Sequence, residues 1–167
     1  MDSNFLLKKK TNLTIPQLTT KRKISKIILH CSATAEGKDY TVDTIRRWHK
    51  ARGFNDIGYH FVIYRDGSIN IGRNINIVGA HTTGYNTGSI GVCYIGGCAT
   101  DGRTPKDTRT PQQKEALFSL VHDLQCIYPT AEIHCHYEYA NKACPSFRLE
   151  RFKQEYSLWL EVQKLKQ

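Results

Sequence analysis

The sequence has no apolar run approaching the roughly 18 residues of a membrane-spanning helix, so no such helix is predicted. It also lacks an N-terminal apolar core followed by a small-residue cleavage site, and we therefore predict no secretory signal and synthesis in the cytoplasm. Hydrophobic residues make up 40% and charged residues 23% of the 167 positions. These proportions are typical of a globular chain with a well-packed core, and they exclude a mainly disordered chain.

Acidic residues are scarce: 15 Asp and Glu stand against 24 Lys and Arg, which gives a formal net charge of +9. More than half of this excess lies in residues 1–23, which hold six basic residues and one acidic residue and show no sustained hydrophobic period. We predict that residues 1–23 form a flexible basic extension and that residues 24–167 form a single domain. A surplus of basic charge also keeps open the alternative of a nucleic-acid-binding protein.

The sequence contains six cysteines, which in number could form three disulfides. A chain of this length can bury an adequate core without disulfides, and the lack of a predicted secretory signal indicates reducing conditions during synthesis. We therefore expect free thiols or metal ligands.

Hydrophobic periodicity predicts an α/β fold. The segments KIILHCSA and AEIHCHYE alternate like strands, the Asp-Gly pair in YRDGSI predicts a hairpin, and the apolar run SIGVCYIGG predicts a central strand. Thr41 and Thr110 are predicted N-caps of two helices, and the apolar spacing within residues 147–164 predicts a third. The order predicts one domain in which a central mixed β-sheet of about five strands is flanked by about three α-helices.

Histidine and cysteine side chains occur at the ends of the predicted strands. His30 closes the first strand, His136 lies near the end of the last, and Cys144 follows in a loop. A catalytic zinc site generally uses three such ligands and keeps a fourth position for water. Strand alternation places His134 on the same face as His136, so either could be a ligand. The alternative is that these histidines bond the backbone and that the cysteine is a buried thiol.

Five segments together resemble a known family. They are HCSAT (30–34), RRWHKARGFNDIGYHFVIYRDG (46–67), GAHTTGYNTGSIGVCYIGG (79–97), the helix start TPQQ and HYEYANKACPSF (136–147). In this order they are similar to the zinc-dependent N-acetylmuramoyl-L-alanine amidases of the phage lysozyme type, which are relatives of the peptidoglycan recognition proteins. The resemblance covers residues from about 24 to 160, and the loop at 98–109 has no counterpart.

The resemblance implies one bound Zn²⁺ with His30, His136 and Cys144 as its ligands. It favours His136 over His134, because the family's ligand is found by counting back from KACPSF. It further implies that Tyr59 and Lys142 form the catalytic pair. His81, in the glycine-bearing loop GAHTTG, is implied to line the substrate groove.

The activity that the resemblance implies is hydrolysis of the amide bond between N-acetylmuramic acid and L-alanine in bacterial peptidoglycan, by zinc-activated water. Such a protein is expected to be a phage or prophage endolysin, a monomer made in the bacterial cytoplasm that acts on the cell wall after release. Two alternatives remain open, a peptidoglycan-binding module without catalysis and a nucleic-acid-binding protein that uses the basic extension. A closed structural zinc site, with His134 as a fourth ligand, is a further alternative.

Overall fold

A five-stranded mixed sheet forms the centre of the fold. The computed structural model describes residues 8–167. The strands are β1 (Lys26–Cys31), β2 (Thr34–Ala35), β3 (Phe61–Ile63), β4 (Ile69–Ile71), β5 (Ser89–Tyr94), β6 (Gly97–Cys98) and β7 (Glu132–Cys135). The helices are α1 (Ile15–Leu18), α2 (Val42–Ala51), α3 (Pro111–Ile127) and α4 (Leu149–Leu165), with one 3₁₀ turn at His136–Glu138.

The strand order in the main sheet is β4-β3-β5-β1-β7, and β2 and β6 form a separate two-stranded ladder. β1 runs parallel to both of its neighbours, with His30 opposite Cys93 of β5 and Leu29 opposite Cys135 of β7. Only β4 is antiparallel, because the predicted hairpin turn joins it to β3. The predicted α/β fold, with its mixed sheet of about five strands, is confirmed.

Helices cover both faces of the sheet. On β3, Phe61 and Ile63 belong to the larger apolar cluster, which also contains the buried residues of α3 and α4. Val62 lies between them in sequence and belongs to a smaller cluster with Val42 and Ile45 of α2. Since successive strand residues point to opposite faces, α2 lies on one side of the sheet and α3 and α4 on the other.

Part of the N-terminal segment packs against the domain, which corrects the prediction of a flexible extension over residues 1–23. Leu18 is fully buried, and the backbone N–H groups of Lys10 and Thr11 donate to the Asp123 carboxylate at 2.8 and 2.9 Å. The Arg22 guanidinium donates to the carbonyl of Ile75 at 2.9 Å. The first seven residues of that predicted extension lie outside the described residues.

Within residues 8–167, no helix has both the length and the apolar character needed to cross a membrane.

Candidate metal centre and catalytic cleft

Three predicted ligands meet at one edge of the sheet. His30 lies near the carboxyl end of β1, and His136 follows β7 directly. Because β1 and β7 are parallel neighbours, their carboxyl ends reach the same edge. The loop after β7 returns to this edge, where the Cys144 sulfur accepts a hydrogen bond from the backbone N–H of Cys31 at 3.2 Å. Residues distant in sequence are thereby brought together.

The spacing of the three side chains suits a zinc ion. One ligand atom from each of His30, His136 and Cys144 lies within 4.8 Å of the other two. His30 Nδ1 is 3.8 Å from Cys144 Sγ. Two ligands of a tetrahedral zinc ion, one nitrogen and one sulfur, lie about 3.5 Å apart, so a shift of a few tenths of an ångström would complete the geometry. Among the described residues, this is the one group of three or more potential ligands close enough to hold a metal.

The environment keeps both imidazoles neutral, the form that binds a metal. Burial, followed by the neighbouring His81 and His136, lowers the pKa of His30 well below its usual value. Burial and Lys142 also lower the pKa of His136. A hydrogen bond with the Cys31 side chain and burial raise the pKa of Cys144, so its thiol keeps its proton until a cation replaces it.

His81 contacts His30 directly. His30 Nε2 and His81 Nδ1 share a buried hydrogen bond of 2.8 Å, and His81 Nε2 lies 3.2 Å from Ser89 Oγ. A Cβ atom on Gly91 would lie 2.6 Å from the His81 ring, so glycine in β5 leaves room for this imidazole. With its Nε2 engaged, His30 presents Nδ1 to the other two side chains of the cluster.

Two adjoining cavities open beside these side chains, with volumes of about 320 and 200 Å³. The two cavities share five of their lining residues, which are His49, Arg52, Tyr59, His136 and Lys142. His81 lines the larger cavity and Cys144 the smaller one. A groove of about 690 Å³ elsewhere, between residues 10–13, the β3–β4 turn and α3, contains neither histidine nor cysteine, so size alone does not identify the site.

Tyr59 presents a protonated phenol to the cleft. Its ring centroid lies 5.1 Å from that of His30 and 5.3 Å from that of His49. Burial, followed by the nearby Cys93 and Cys144 thiols, raises the pKa of Tyr59 well above its usual value. The backbone before it is fixed, because Gly58 N–H donates to His49 Nδ1 at 2.8 Å. The phenol is therefore a hydrogen-bond donor at neutral pH rather than a free base.

Lys142 lies in the loop that carries Cys144 and lines both cavities. Within the described chain, its ammonium group makes no ion pair or hydrogen bond, although its backbone N–H donates to the Ala140 carbonyl at 2.9 Å. Its positive charge is therefore available to a group in the cleft.

His134 lies apart from the cluster. Its two ring nitrogens contact the carboxylates of Glu132 and Glu138, each at 3.2 Å. Strand alternation placed it on one face with His136, but β7 ends at Cys135 and the chain turns there into the 3₁₀ turn. The alternation therefore does not extend to His136.

Two features of the site were not predicted from the sequence. One is the bond between His81 and His30, because the two residues are 51 positions apart. The other is the position of Arg52, which follows α2 and lines both cavities. Arg52 directly precedes Gly53, and a glycine after an amphipathic helical pattern indicates a helix end, which could have indicated a side chain at a loop edge.

Comparisons with known proteins agree with this geometry. Residues 20–147 match the family Amidase_2, described as N-acetylmuramoyl-L-alanine amidase. The endolysin of Enterobacteria phage K11 is 46% identical over 136 residues, which cover 81% of this chain and 89% of that protein. The endolysin of Escherichia phage T7 is 46% identical over 126 residues, covering 75% of this chain and 83% of its own length.

A solved structure is similar as well. The endolysin N-acetylmuramoyl-L-alanine amidase LysCS from Clostridium intestinale URNW matches with a TM-score of 0.70 and 30% identity, covering 81% of this chain and 85% of the other. The family match spans well over half of the sequence and includes all three clustered side chains. The chain therefore belongs to the N-acetylmuramoyl-L-alanine amidase family and is a peptidoglycan amidase of the endolysin type.

Proposed function

We propose that this amidase uses one Zn²⁺, held by His30, His136 and Cys144, to hydrolyse the bond between the lactyl group of N-acetylmuramic acid and L-alanine. The observation that carries the proposal is the convergence of these three ligand atoms within 4.8 Å beside an open cavity. The donor set fits the ion, because two neutral imidazoles and one thiolate are typical zinc ligands. When bound, the ion would polarise the scissile carbonyl and lower the pKa of water.

Lys142 supplies positive charge to the reacting amide in this proposal. As water adds to the carbonyl carbon, negative charge develops on the amide oxygen, and the unpaired ammonium group of Lys142 lines the same cavity. Removal of one such donor typically lowers the rate by about 10²–10³. The C–N bond then breaks, and the proton released by water goes to the leaving nitrogen of L-alanine.

Tyr59 orients the reacting groups. Because its raised pKa keeps the proton on Oη, the phenol donates a hydrogen bond to the attacking water or to the developing oxyanion. His81, which we predicted to line the substrate groove, takes a second role here through its bond to His30. It holds the His30 imidazole so that Nδ1 points to the ion.

The biological setting follows from the relatives named endolysin. We propose a phage or prophage protein that acts as a monomer on the cell wall after release from the cytoplasm. Cys144 favours an enzyme over a peptidoglycan-binding module, because it completes the set of three protein ligands that a catalytic zinc site generally uses. The net charge of +9 is the observation that favours a second candidate, nucleic-acid binding, and it predicts an affinity that falls steeply with salt.

Mass analysis of digested peptidoglycan tests the proposed reaction. The wild-type protein should create free amino groups on L-alanine, lose this activity with a chelator and regain it with added zinc. The variant Cys144→Ser should lose both bound zinc and turnover, whereas Cys126→Ser, which changes an exposed thiol outside the cleft, should keep both. Full activity of Cys144→Ser would contradict the metal site, and new reducing sugar ends would indicate a glycosidase instead.

A further inference from the structure

Arg52 is a charged residue of the cleft that the proposed mechanism does not use. It follows the last residue of α2, and its backbone N–H donates to the His49 carbonyl at 3.0 Å. Its guanidinium lies 5.3 Å from the centre of the Phe54 ring. Within residues 8–167, this guanidinium has no carboxylate partner and no side-chain hydrogen bond, whereas Arg46 of α2 pairs with two aspartates.

The charge of the cleft is positive. Arg52 and Lys142 line both cavities, and neither cavity is lined by an aspartate or a glutamate. A divalent ion with one thiolate ligand would add a further net positive charge. Walls of one sign concentrate ligands of the opposite sign, so the cleft is complementary to an anionic group.

We propose that Arg52 is a specificity-determining residue that binds the α-carboxylate of the second residue of the peptide stem. The inference rests on the proposed function, because it concerns a substrate cleaved at the first stem residue. In the stem, the second residue is a glutamate joined through its γ-carboxyl group, which leaves its α-carboxylate free. This carboxylate lies roughly 7 Å from the scissile bond, about two residues along the chain.

The two cations have different chemistry, which separates their roles. Lys142 is a compact point charge in the loop of Cys144 and serves the developing oxyanion. Arg52 has a planar guanidinium with five N–H donors, which can hold a carboxylate through two parallel hydrogen bonds. The α-carboxylate of the second residue is the first free carboxylate of the stem beyond the scissile bond. Arg52 lines both cavities beside the clustered side chains, so it is assigned to this carboxylate.

Synthetic N-acetylmuramoyl tripeptides test this assignment. One substrate has the free α-carboxylate at the second residue, and a matched one has the α-carboxamide. Because Arg52 is exposed, the wild-type enzyme should cleave the carboxylate with a kcat/KM about two- to fivefold higher, the effect expected of an exposed ion pair with good geometry. Arg52→Gln should reduce this ratio to near one, mainly through a higher KM for the carboxylate, and Arg52→Lys should give an intermediate ratio.

Two controls sharpen the result. Lys50→Gln removes an equal charge from α2 but lies outside both cavities, so it should keep the wild-type ratio. A third substrate, amidated only at the third residue, should behave like the free carboxylate. The inference is overturned if Arg52→Gln keeps the wild-type ratio, which includes an equal loss of kcat/KM for both substrates. It is also overturned if amidation of the third residue changes kcat/KM as much as amidation of the second.

The wild-type enzyme separates this failure from failure of the proposed function. Equal kcat/KM values for the two matched substrates would overturn the role of Arg52 while the amidase reaction stands. No release of L-alanine amino groups from any substrate or from whole peptidoglycan would contradict the proposed function, and the inference would be overturned with it.

Discussion

Single hydrogen bonds decide how the candidate ligands are presented. The His30 ring could point either nitrogen at a metal, and its 2.8 Å contact with His81 engages Nε2. The backbone N–H of Cys31 likewise donates to the Cys144 sulfur and orients it. Such outer contacts fix the tautomer and direction of metal ligands and tune their affinity. Family motifs could indicate the ligands from sequence, but not these contacts, since they join residues far apart in the chain.

Replacement of His81 should weaken zinc binding before it affects substrate binding. We expect His81→Ala to lower the affinity for zinc by about 10- to 100-fold, because His30 loses the partner that orients its ring. His81→Gln, which keeps a polar group near His30 Nε2, should recover part of this loss of affinity. The measurement is competition for zinc between the metal-free protein and a chromogenic chelator.

The matched control for His81 is His134→Ala. His134 pairs with Glu132 and Glu138 and is not part of the ligand cluster, so its removal should leave zinc affinity unchanged. A loss at His134 as large as that at His81 would instead support a closed site with four protein ligands. Unchanged zinc affinity in His81→Ala would contradict the positioning role.

At the scale of elements, the site depends on where strands end. The sequence predicted β1, β5 and the β3–β4 hairpin, because alternation, an apolar run and an Asp-Gly turn are local signals. It did not predict that β7 stops at Cys135. There the Cys135 N–H donates to the Glu138 carboxylate at 2.6 Å, and the Tyr137 N–H donates to the Cys144 carbonyl at 2.9 Å. The pairing of β1 with β7 is also nonlocal, so the sequence does not show that His30 and His136 reach the same edge of the sheet.

Gly91 of β5 gives a test of the close packing behind the site. A Cβ atom there would approach three atoms of the His81 ring to 2.6–2.9 Å, so Gly91→Ala must displace the ring or the strand. We expect a loss of about 1–3 kcal/mol in the free energy of unfolding, as is typical of overpacking, together with weaker zinc binding. Urea unfolding and the chelator competition measure the two effects.

Gly88→Ala is the control from the same segment. Its Cβ atom would lie 3.2 Å from the Ser25 hydroxyl, a small group that can rotate away, and 3.7 Å from the Lys23 carbonyl. We expect a smaller loss of stability and no change in zinc affinity. Equal effects of the two substitutions would show that the His81 contact is not the cause.

At the scale of the whole molecule, composition predicted a flexible N-terminal segment, whereas part of this segment packs against the domain. Many Lys and Thr residues and the absence of a hydrophobic period indicated a solvated extension, but a few anchors suffice to dock a short segment. Leu13 and Leu18 are buried in the main core, and Thr20 N–H donates to the Tyr128 hydroxyl at 3.0 Å. Single apolar residues without periodicity carry no pattern. The hydrogen-bond partners of Thr11 and Thr20, which are Asp123 and Tyr128, lie 112 and 108 positions away in sequence.

Asp123 anchors this segment and links the stability of the whole molecule to pH. Its side chain is fully buried and accepts hydrogen bonds from Lys10 N–H, Thr11 N–H and the Thr11 hydroxyl. Burial raises the pKa of Asp123, but hydrogen bonds from His122, Lys10 and Thr11 outweigh burial, so the pKa is below its usual value. The resulting stabilisation is present above the unfolded pKa of about 3.9 and is lost as pH falls through the lower folded pKa.

Asp123→Asn should therefore lower the free energy of unfolding at pH 7 by about 1–3 kcal/mol, because an amide can accept fewer and weaker hydrogen bonds from these donors. The difference from the wild type should shrink as pH falls below about 4, because the carboxyl group then takes up a proton first in the unfolded chain and, at lower pH, in the folded chain. Urea unfolding between pH 3 and pH 7 measures it, with Asp43→Asn as the control, because the Asp43 side chain is 86% exposed. A difference that does not change with pH would mean that the carboxylate charge does not hold the segment, and equal losses in both variants would exclude a specific anchor at Asp123.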